Sequence, residues 1–142
     1  MKRSRALAPF SEEHHHELVQ ARRLLRAADA GADARLAAAR AYVDVFFRDT
    51  VEHFRREEEE LFPLYARHAG RTGLLERILA EHMQLHGLAR TLRTRVAAGD
   101  VPAEDLRGLG SLLREHVRVE ERGLFEEIQR VVPAQELDAL RR

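Results

Sequence analysis

Residues 53–62 read HFRREEEELF, and residues 116–125 read HVRVEERGLF. Both segments follow the pattern H-x3-E-E-x2-L-F, so in each a glutamate comes four positions after a histidine. Positions i and i+4 of an α-helix point to the same face and lie about 6 Å apart along the helix axis. The pattern therefore directs an imidazole and a carboxylate into one small volume on each of two helices.

Helical periodicity assigns both of these polar pairs to the core. Apolar residues recur at steps of three and four through each segment, which is typical of a helix that buries one face. His53 and Glu57 fall within this stripe on the second predicted helix, and His116 and Glu120 fall within it on the fourth. A carboxylate on a buried face is costly unless it is paired or bound to a metal ion. The two pairs therefore indicate a polar site inside the core.

Histidines also lie on the core faces of the first and third predicted helices. The third helix carries His82 within its apolar stripe, with His86 four positions later. The first helix begins with consecutive histidines at residues 14–16. His15 shares the frame H-x2-L with His82, so we expect His15 to face the core, with His14 as the alternative. Each of the four helices thus contributes a histidine to one level.

Start and stop signals predict four long helices and one short one. The short connections favour antiparallel neighbours, so we predict an all-α, up-down four-helix bundle with a short C-terminal helix. We take residues 1–10 as an N-terminal arm and residues 11–142 as a single domain. The predicted helices are residues 12–30 after the N-cap Ser11, residues 34–69 after Asp33 with a kink at Pro63, residues 73–98 after Thr72, residues 102–130 with Pro102 in the first turn, and a short piece opened by Pro133.

Composition narrows the class of protein further. Lys and Arg together number 24, as do Asp and Glu, and this balance gives no reason to expect nucleic acid or a membrane as partner. Cysteine is absent, which excludes a disulfide framework and a thiolate metal site. The start MKRSRALAPF lacks the apolar region of a signal peptide, and no stretch approaches the roughly 18 apolar residues of a membrane span. We therefore expect a cytoplasmic protein.

The donor set indicates the kind of cofactor. Imidazole with carboxylate suits iron, manganese or zinc, and helical bundles build two-metal sites from residues that face inward. Five histidines, two bridging carboxylates and an oxo or hydroxo bridge would leave one position open on a pair of six-coordinate irons. An open position is what a site needs to bind a small external ligand.

At these residues the chain resembles a hemerythrin-like, HHE cation-binding domain. The resemblance covers about residues 11 to 130, and its strength comes from four motifs in the right order at helix-length spacing. Oxygen-carrying hemerythrins differ in placing an Asp at i+5 on the last helix, where this chain has Glu120 at i+4 and Glu121 at i+5. The core register favours Glu120. The matching motifs are His15-x2-Leu18, His53-x3-Glu57, His82-x3-His86 and His116-x3-Glu120.

The resemblance implies a di-iron centre and assigns particular ligands to each iron. His82, His86 and His116 would hold one iron, His15 and His53 the other, and Glu57 and Glu120 would bridge the two. No separate catalytic residue is implied.

Three functions are compatible with such a centre. The first is binding of dioxygen or a related small ligand, such as nitric oxide or peroxide, for storage, sensing or protection, with an electron donor that the sequence does not identify. The second is an enzyme that consumes peroxide or nitric oxide, in the manner of a catalase. The third is an iron-responsive or structural bundle, in which metal mainly stabilises the fold.

Overall fold

The computed structural model describes residues 1–140, which form an all-α four-helix bundle, as predicted. The first bundle helix packs against the second and the fourth, and the third also packs against these two. The first bundle helix is α1 (Ala8–Ala28), and the third is α5 (Gly73–Ala98). The second is continuous but interrupted twice, and consists of α2 (Ala32–Val45), a π-helical turn (Phe46–Thr50), α3 (Val51–Arg56), another π-helical turn (Glu57–Leu61) and α4 (Phe62–Ala69). The fourth consists of α6 (Ala103–Val119), a π-helical turn (Glu120–Leu124) and α7 (Phe125–Val131), and the short α8 (Ala134–Asp138) follows it.

The first bundle helix begins earlier than the sequence analysis predicted. It starts at Ala8, with Pro9 in its first turn, where a missing backbone N–H costs nothing. Leu7 and Phe10 are both buried in the core, and that burial draws the helix start toward the N-terminus. Ser11, predicted as the N-cap, lies inside α1 and donates its hydroxyl hydrogen bond to the Glu121 carboxylate. The start of the helix is therefore determined by packing and not by a capping side chain.

Two of the π-helical turns begin at the glutamates of the H-x3-E pairs. The backbone N–H of Phe62 donates to the carbonyl of Glu57, five residues earlier, and Phe125 donates to Glu120 in the same way. Such turns insert one extra residue into a helix and occur often at functional sites. We predicted a kink at Pro63, which has no N–H to donate. The structure has a π-helical turn upstream of this proline, at Glu57–Leu61.

The capping predictions were partly wrong. Thr72 caps α5 as predicted, because its hydroxyl accepts a hydrogen bond from the Leu75 N–H. Asp33 does not cap α2; Gly31 is the N-cap, and Asp33 lies in the first turn, where its charge still favours the helix N-terminus. Pro102 is the N-cap of α6, one position before the first turn.

A layer of buried polar residues divides the hydrophobic core into two clusters. Along α1, buried Phe10 precedes this polar layer and buried Leu24 follows it. The same order, apolar then polar then apolar, occurs along each of the other bundle helices. The polar layer therefore lies at mid-height of the bundle, and every bundle helix contributes to it. Its members are His14, Glu17, Thr50, His53, Glu57, Glu81, His82, His116 and Glu120.

Among the described residues, no helix combines the length and the apolar composition that crossing a bilayer requires.

Candidate metal centre

The centre of the polar layer is built around two glutamates that water does not reach. Glu57 and Glu120 have no exposed surface, and each begins a π-helical turn of its own bundle helix. Four histidines, one from each bundle helix, surround these carboxylates and are at most 2% exposed. They are His14, His53, His82 and His116.

Each of these histidines is oriented by a glutamate on a neighbouring helix. In every case the imidazole Nδ1–H donates to a carboxylate oxygen, which leaves Nε2 on the opposite side of the ring to face the interior. A carboxylate behind an imidazole is the usual way in which proteins orient a metal-binding histidine and raise its basicity. The four pairs are His14 with Glu121 (2.6 Å), His53 with Glu13 (2.8 Å), His82 with Glu58 (2.6 Å) and His116 with Glu81 (2.8 Å).

Glu57 joins the two halves of the centre. Its Oε2 lies 3.3 Å from Nε2 of His53 and 3.6 Å from Nε2 of His14. Its Oε1 lies 3.3 Å from Nε2 of His82. The two oxygens of one carboxylate thus face histidines of different halves of the centre.

Glu120 approaches both halves through a single oxygen. Its Oε2 lies 3.0 Å from Nε2 of His116 and 3.5 Å from Nε2 of His14. His14, His53, Glu57 and Glu120 form one group whose ligand atoms all lie within 4.8 Å of one another, and His82, His116 and Glu120 form a second. Glu120 belongs to both groups. The site therefore has two neighbouring positions, each of which could hold a metal ion.

The buried donors fit a cation because the protein does not satisfy them. Neither oxygen of Glu57 or Glu120 accepts a hydrogen bond, and Nε2 of His82 and of His116 has no hydrogen-bond partner. Buried polar atoms are nearly always hydrogen-bonded, and an unsatisfied carboxylate in the core is strongly unfavourable. Metal ions between these atoms would satisfy all of them at once.

The pKa values of the buried groups reflect the negative charge of the carboxylates in the centre. Burial opposes protonation of His14, but its hydrogen bond to Glu121 and the nearby charges of Glu57 and Glu17 prevail and raise the pKa of His14 to about 10. Burial likewise opposes protonation of His53, and the charges of nearby carboxylates raise the pKa of His53 to about 9. Burial raises the pKa of Glu57, but its neighbouring histidines outweigh this and hold that pKa well below the ordinary value. The carboxylates therefore attract positive charge, which protons supply in the absence of metal.

The prediction that His15 faces the core is corrected by the structure, which buries His14 and exposes His15. The frame H-x2-L sets the register of α1 from Leu18, which the structure leaves only partly buried. The core stripe instead runs through Phe10, His14, Glu17, Ala21 and Leu24, at steps of three and four. Including Phe10 in the stripe would have identified His14 from the sequence.

His86 does not belong to either group of ligand atoms. Its ring is partly buried and makes edge contacts with the rings of Phe46 (5.2 Å between centroids) and Phe54 (5.7 Å). Phe54 also stacks face to face on His82, with ring centroids 3.8 Å apart. Position i+4 after His82 thus falls on the aromatic border of the centre, and the assignment of His86 as a fifth histidine ligand stays a prediction.

The sequence pattern did not reveal the glutamates behind the histidines or one further buried acid, Glu17. Glu121 is the alternative to Glu120 at position i+5 after His116, and the structure places it behind His14. A signal was present: each of the four supporting glutamates is adjacent in sequence to a residue of the centre. The pairs of neighbours are Glu13–His14, Glu57–Glu58, Glu81–His82 and Glu120–Glu121.

The fold and the polar layer together define a helical bundle with a cation-binding core. A family model of the hemerythrin HHE cation-binding domain matches residues 7–128, and the chain belongs to this family. The match begins within the segment that we had predicted to be an N-terminal arm, at the buried Leu7. A search of curated proteins and a search of solved structures each gave no match.

Proposed function

We propose that the chain holds two iron ions in this centre and binds dioxygen or a related small ligand there. His14 and His53 would hold one ion, His82 and His116 the other, and Glu57 and Glu120 would lie between the two. Bound iron would supply the ability to change oxidation state and to bind dioxygen, nitric oxide or peroxide. Storage, sensing and protection are the roles that such binding supports.

The position of Glu57 is the observation that carries this proposal. One of its oxygens faces His14 and His53, the other faces His82, and neither oxygen has a hydrogen-bond partner. A single metal ion would satisfy only one of these sides. The donors are imidazole nitrogens and carboxylate oxygens, a set that suits iron. Structural zinc sites, in contrast, are often rich in thiolate ligands, and this site has none.

A cleft of about 300 Å³ between the first and second bundle helices gives a ligand a path to the centre. At its inner end it reaches His53 and the buried Glu17 and Thr50. At its outer end it is lined by charged side chains, among them Arg48 and Glu52. A ligand of a few atoms therefore has access to the His14/His53 side of the centre.

The charged and polar residues around the cleft favour a second candidate function, consumption of peroxide or nitric oxide by an enzyme at the same centre. Val45 is the apolar exception among the lining residues. Such a cleft admits water and hydrogen peroxide readily, whereas long retention of dioxygen requires a dry surrounding.

As for partners and location, we propose a small ligand, a separate electron donor and a cytoplasmic setting.

Metal content and the visible spectrum test the proposal. Protein purified from iron-replete cells is analysed for iron and its spectrum recorded as isolated, after reduction and after return to air. We expect about two irons per chain and charge-transfer bands that change on reduction. Bands that change reversibly with oxygen support the binding function, and rapid loss of added peroxide supports the enzyme. Fewer than two irons per chain in a folded, iron-saturated protein would overturn the proposal.

A further inference from the structure

After Glu57 and Glu120, Glu17 is a third buried carboxylate on the Nε2 side of the histidines of the centre. Its residue is 7% exposed, and neither of its carboxylate oxygens has a hydrogen-bond partner. Its Oε2 lies 3.7 Å from Nε2 of His53 and 3.9 Å from Nε2 of His14. These Nε2 atoms are the ones that face the interior, so Glu17 approaches the same point as the two imidazoles.

The three atoms have the spacing of donors around one ion. Nε2 of His14 and Nε2 of His53 are 3.2 Å apart, so the triangle that they form with Glu17 has sides of 3.2, 3.7 and 3.9 Å. Neighbouring donors at about 2.1 Å from an octahedral ion lie about 3.0 Å apart. A small contraction of side chains would bring all three donors to bonding distance.

We propose that Glu17 is a metal ligand of the His14/His53 position and of that position alone. The inference rests on the proposed two-ion centre. Two histidines and one carboxylate on one face of an ion are a donor set that suits ferrous iron and leaves positions open. Glu17 comes three positions after His14 on the buried stripe of α1, where a helix core ordinarily has an apolar residue.

Glu17 makes the two positions of the centre unequal. The His14/His53 position has three donors of its own, and the His82/His116 position has two, in addition to the shared carboxylates. An additional anionic donor strengthens the binding of a divalent cation. The position at the inner end of the cleft, where Glu17 and His53 line the wall, therefore binds ferrous iron more tightly than the other.

Anaerobic titration of the metal-free chain with ferrous iron, followed by calorimetry, tests this assignment. The variant is Glu17→Gln, which keeps the shape of the side chain and removes its charge. The matched control is Glu52→Gln, which removes a charge from the outer wall of the same cleft, where Glu52 pairs with Arg55 and not with the centre. Thermal unfolding of each protein with and without iron gives a second readout that does not depend on activity.

We expect two binding events in the wild-type chain and in the control, with unequal affinities. In Glu17→Gln the tighter event weakens at least about tenfold, the weaker event is unchanged, and iron raises the unfolding temperature less than in the wild type. Two unchanged affinities in a folded Glu17→Gln would overturn the assignment of Glu17 and leave the two-ion centre intact. A wild-type chain that binds fewer than two irons would instead overturn the proposed function.

A second variant covers the case in which Glu17→Gln does not fold. Glu17→Asp keeps the charge and withdraws the carboxylate by one methylene group. Ferrous iron should then bind more weakly to one position than in the wild type. An affinity equal to that of the wild type at both positions would contradict a direct bond between Glu17 and the ion.

Discussion

Glu13 on the first bundle helix accepts a hydrogen bond from Nδ1 of His53 on the second at 2.8 Å. The same relation is repeated around the bundle, because each histidine of the centre is held by a glutamate from the preceding helix and the first helix is served by the fourth. The four bundle helices are thus joined into a closed ring by histidine–carboxylate hydrogen bonds. Any one helix can move only by disturbing the orientation of a histidine on the next.

The ring predicts a measurable effect of a residue that touches no metal. In Glu58→Gln the acceptor behind His82 loses its charge, so the His82 imidazole becomes less basic and less firmly oriented. We expect ferrous iron to bind to one of the two positions about 10- to 100-fold more weakly, with the fold unchanged by circular dichroism. Glu59→Gln is the control, since Glu59 pairs with Arg55 at the surface. Equal affinities in the two variants would contradict a supporting role for Glu58.

Adjacent histidines on α1 provide a direct test of the register. His14→Ala removes a buried imidazole whose Nε2 faces Glu57 and Glu120, whereas His15→Ala removes an exposed one. We expect His14→Ala to retain about one iron per chain and His15→Ala to retain about two, as measured by metal analysis after anaerobic reconstitution. The opposite result would place His15 in the core and require α1 to rotate by about 100°.

The sequence predicted the bundle and most of the core polar residues for one physical reason. Polar side chains at positions where helical periodicity demands apolar ones are rare, so His53, Glu57 and His116 were conspicuous. The register of α1 depended on Phe10, which lay before the expected helix start and was left out. The supporting glutamates are only partly buried in most cases and lie on other helices than the histidines that they contact, so periodicity along one helix could not reveal them.

At Gly110 the fourth bundle helix packs closely against the first. A Cβ atom at this position would lie 2.9 Å from Cγ of Leu25 and 3.1 Å from the carbonyl oxygen of Ala21. The backbone of α1 cannot move away easily, so the added methyl group should lower the free energy of unfolding by about 1–3 kcal/mol. The higher helix propensity of alanine should offset up to about 1 kcal/mol of this loss in Gly110→Ala. Urea unfolding of the metal-free chain measures the change.

Gly108 is the matched control for this substitution. It lies on the same helix, and a Cβ atom there would have no neighbour within 4 Å. Gly108→Ala should therefore gain stability, by up to about 1 kcal/mol, from the helix propensity of alanine alone. If both variants gained equally, the close packing of α1 against α6 at Gly110 would be contradicted.

The stability of the metal-free chain should fall as the pH rises from about 6.5 to 10. His14 and His53 have folded-state pKa values of about 10 and about 9, above the value of 6.5 for an unperturbed histidine. Protonation of these groups thus stabilises the folded state fully below pH 6.5, and the contribution is lost as the pH rises through the folded-state values. We expect the unfolding temperature to drop by about 5 °C or more over this range, measured by differential scanning calorimetry.

Bound iron should remove or reverse this fall of stability with rising pH. Metal binding requires neutral imidazoles, so iron displaces the protons from the centre and its apparent affinity rises with pH. The unfolding temperature of the iron-loaded chain should therefore hold or rise between pH 6.5 and 9, while that of the metal-free chain falls. Calorimetry in two buffers of different ionisation enthalpy should detect the released protons. Parallel pH profiles for the two forms, with no proton release, would show that the ions bind away from His14 and His53.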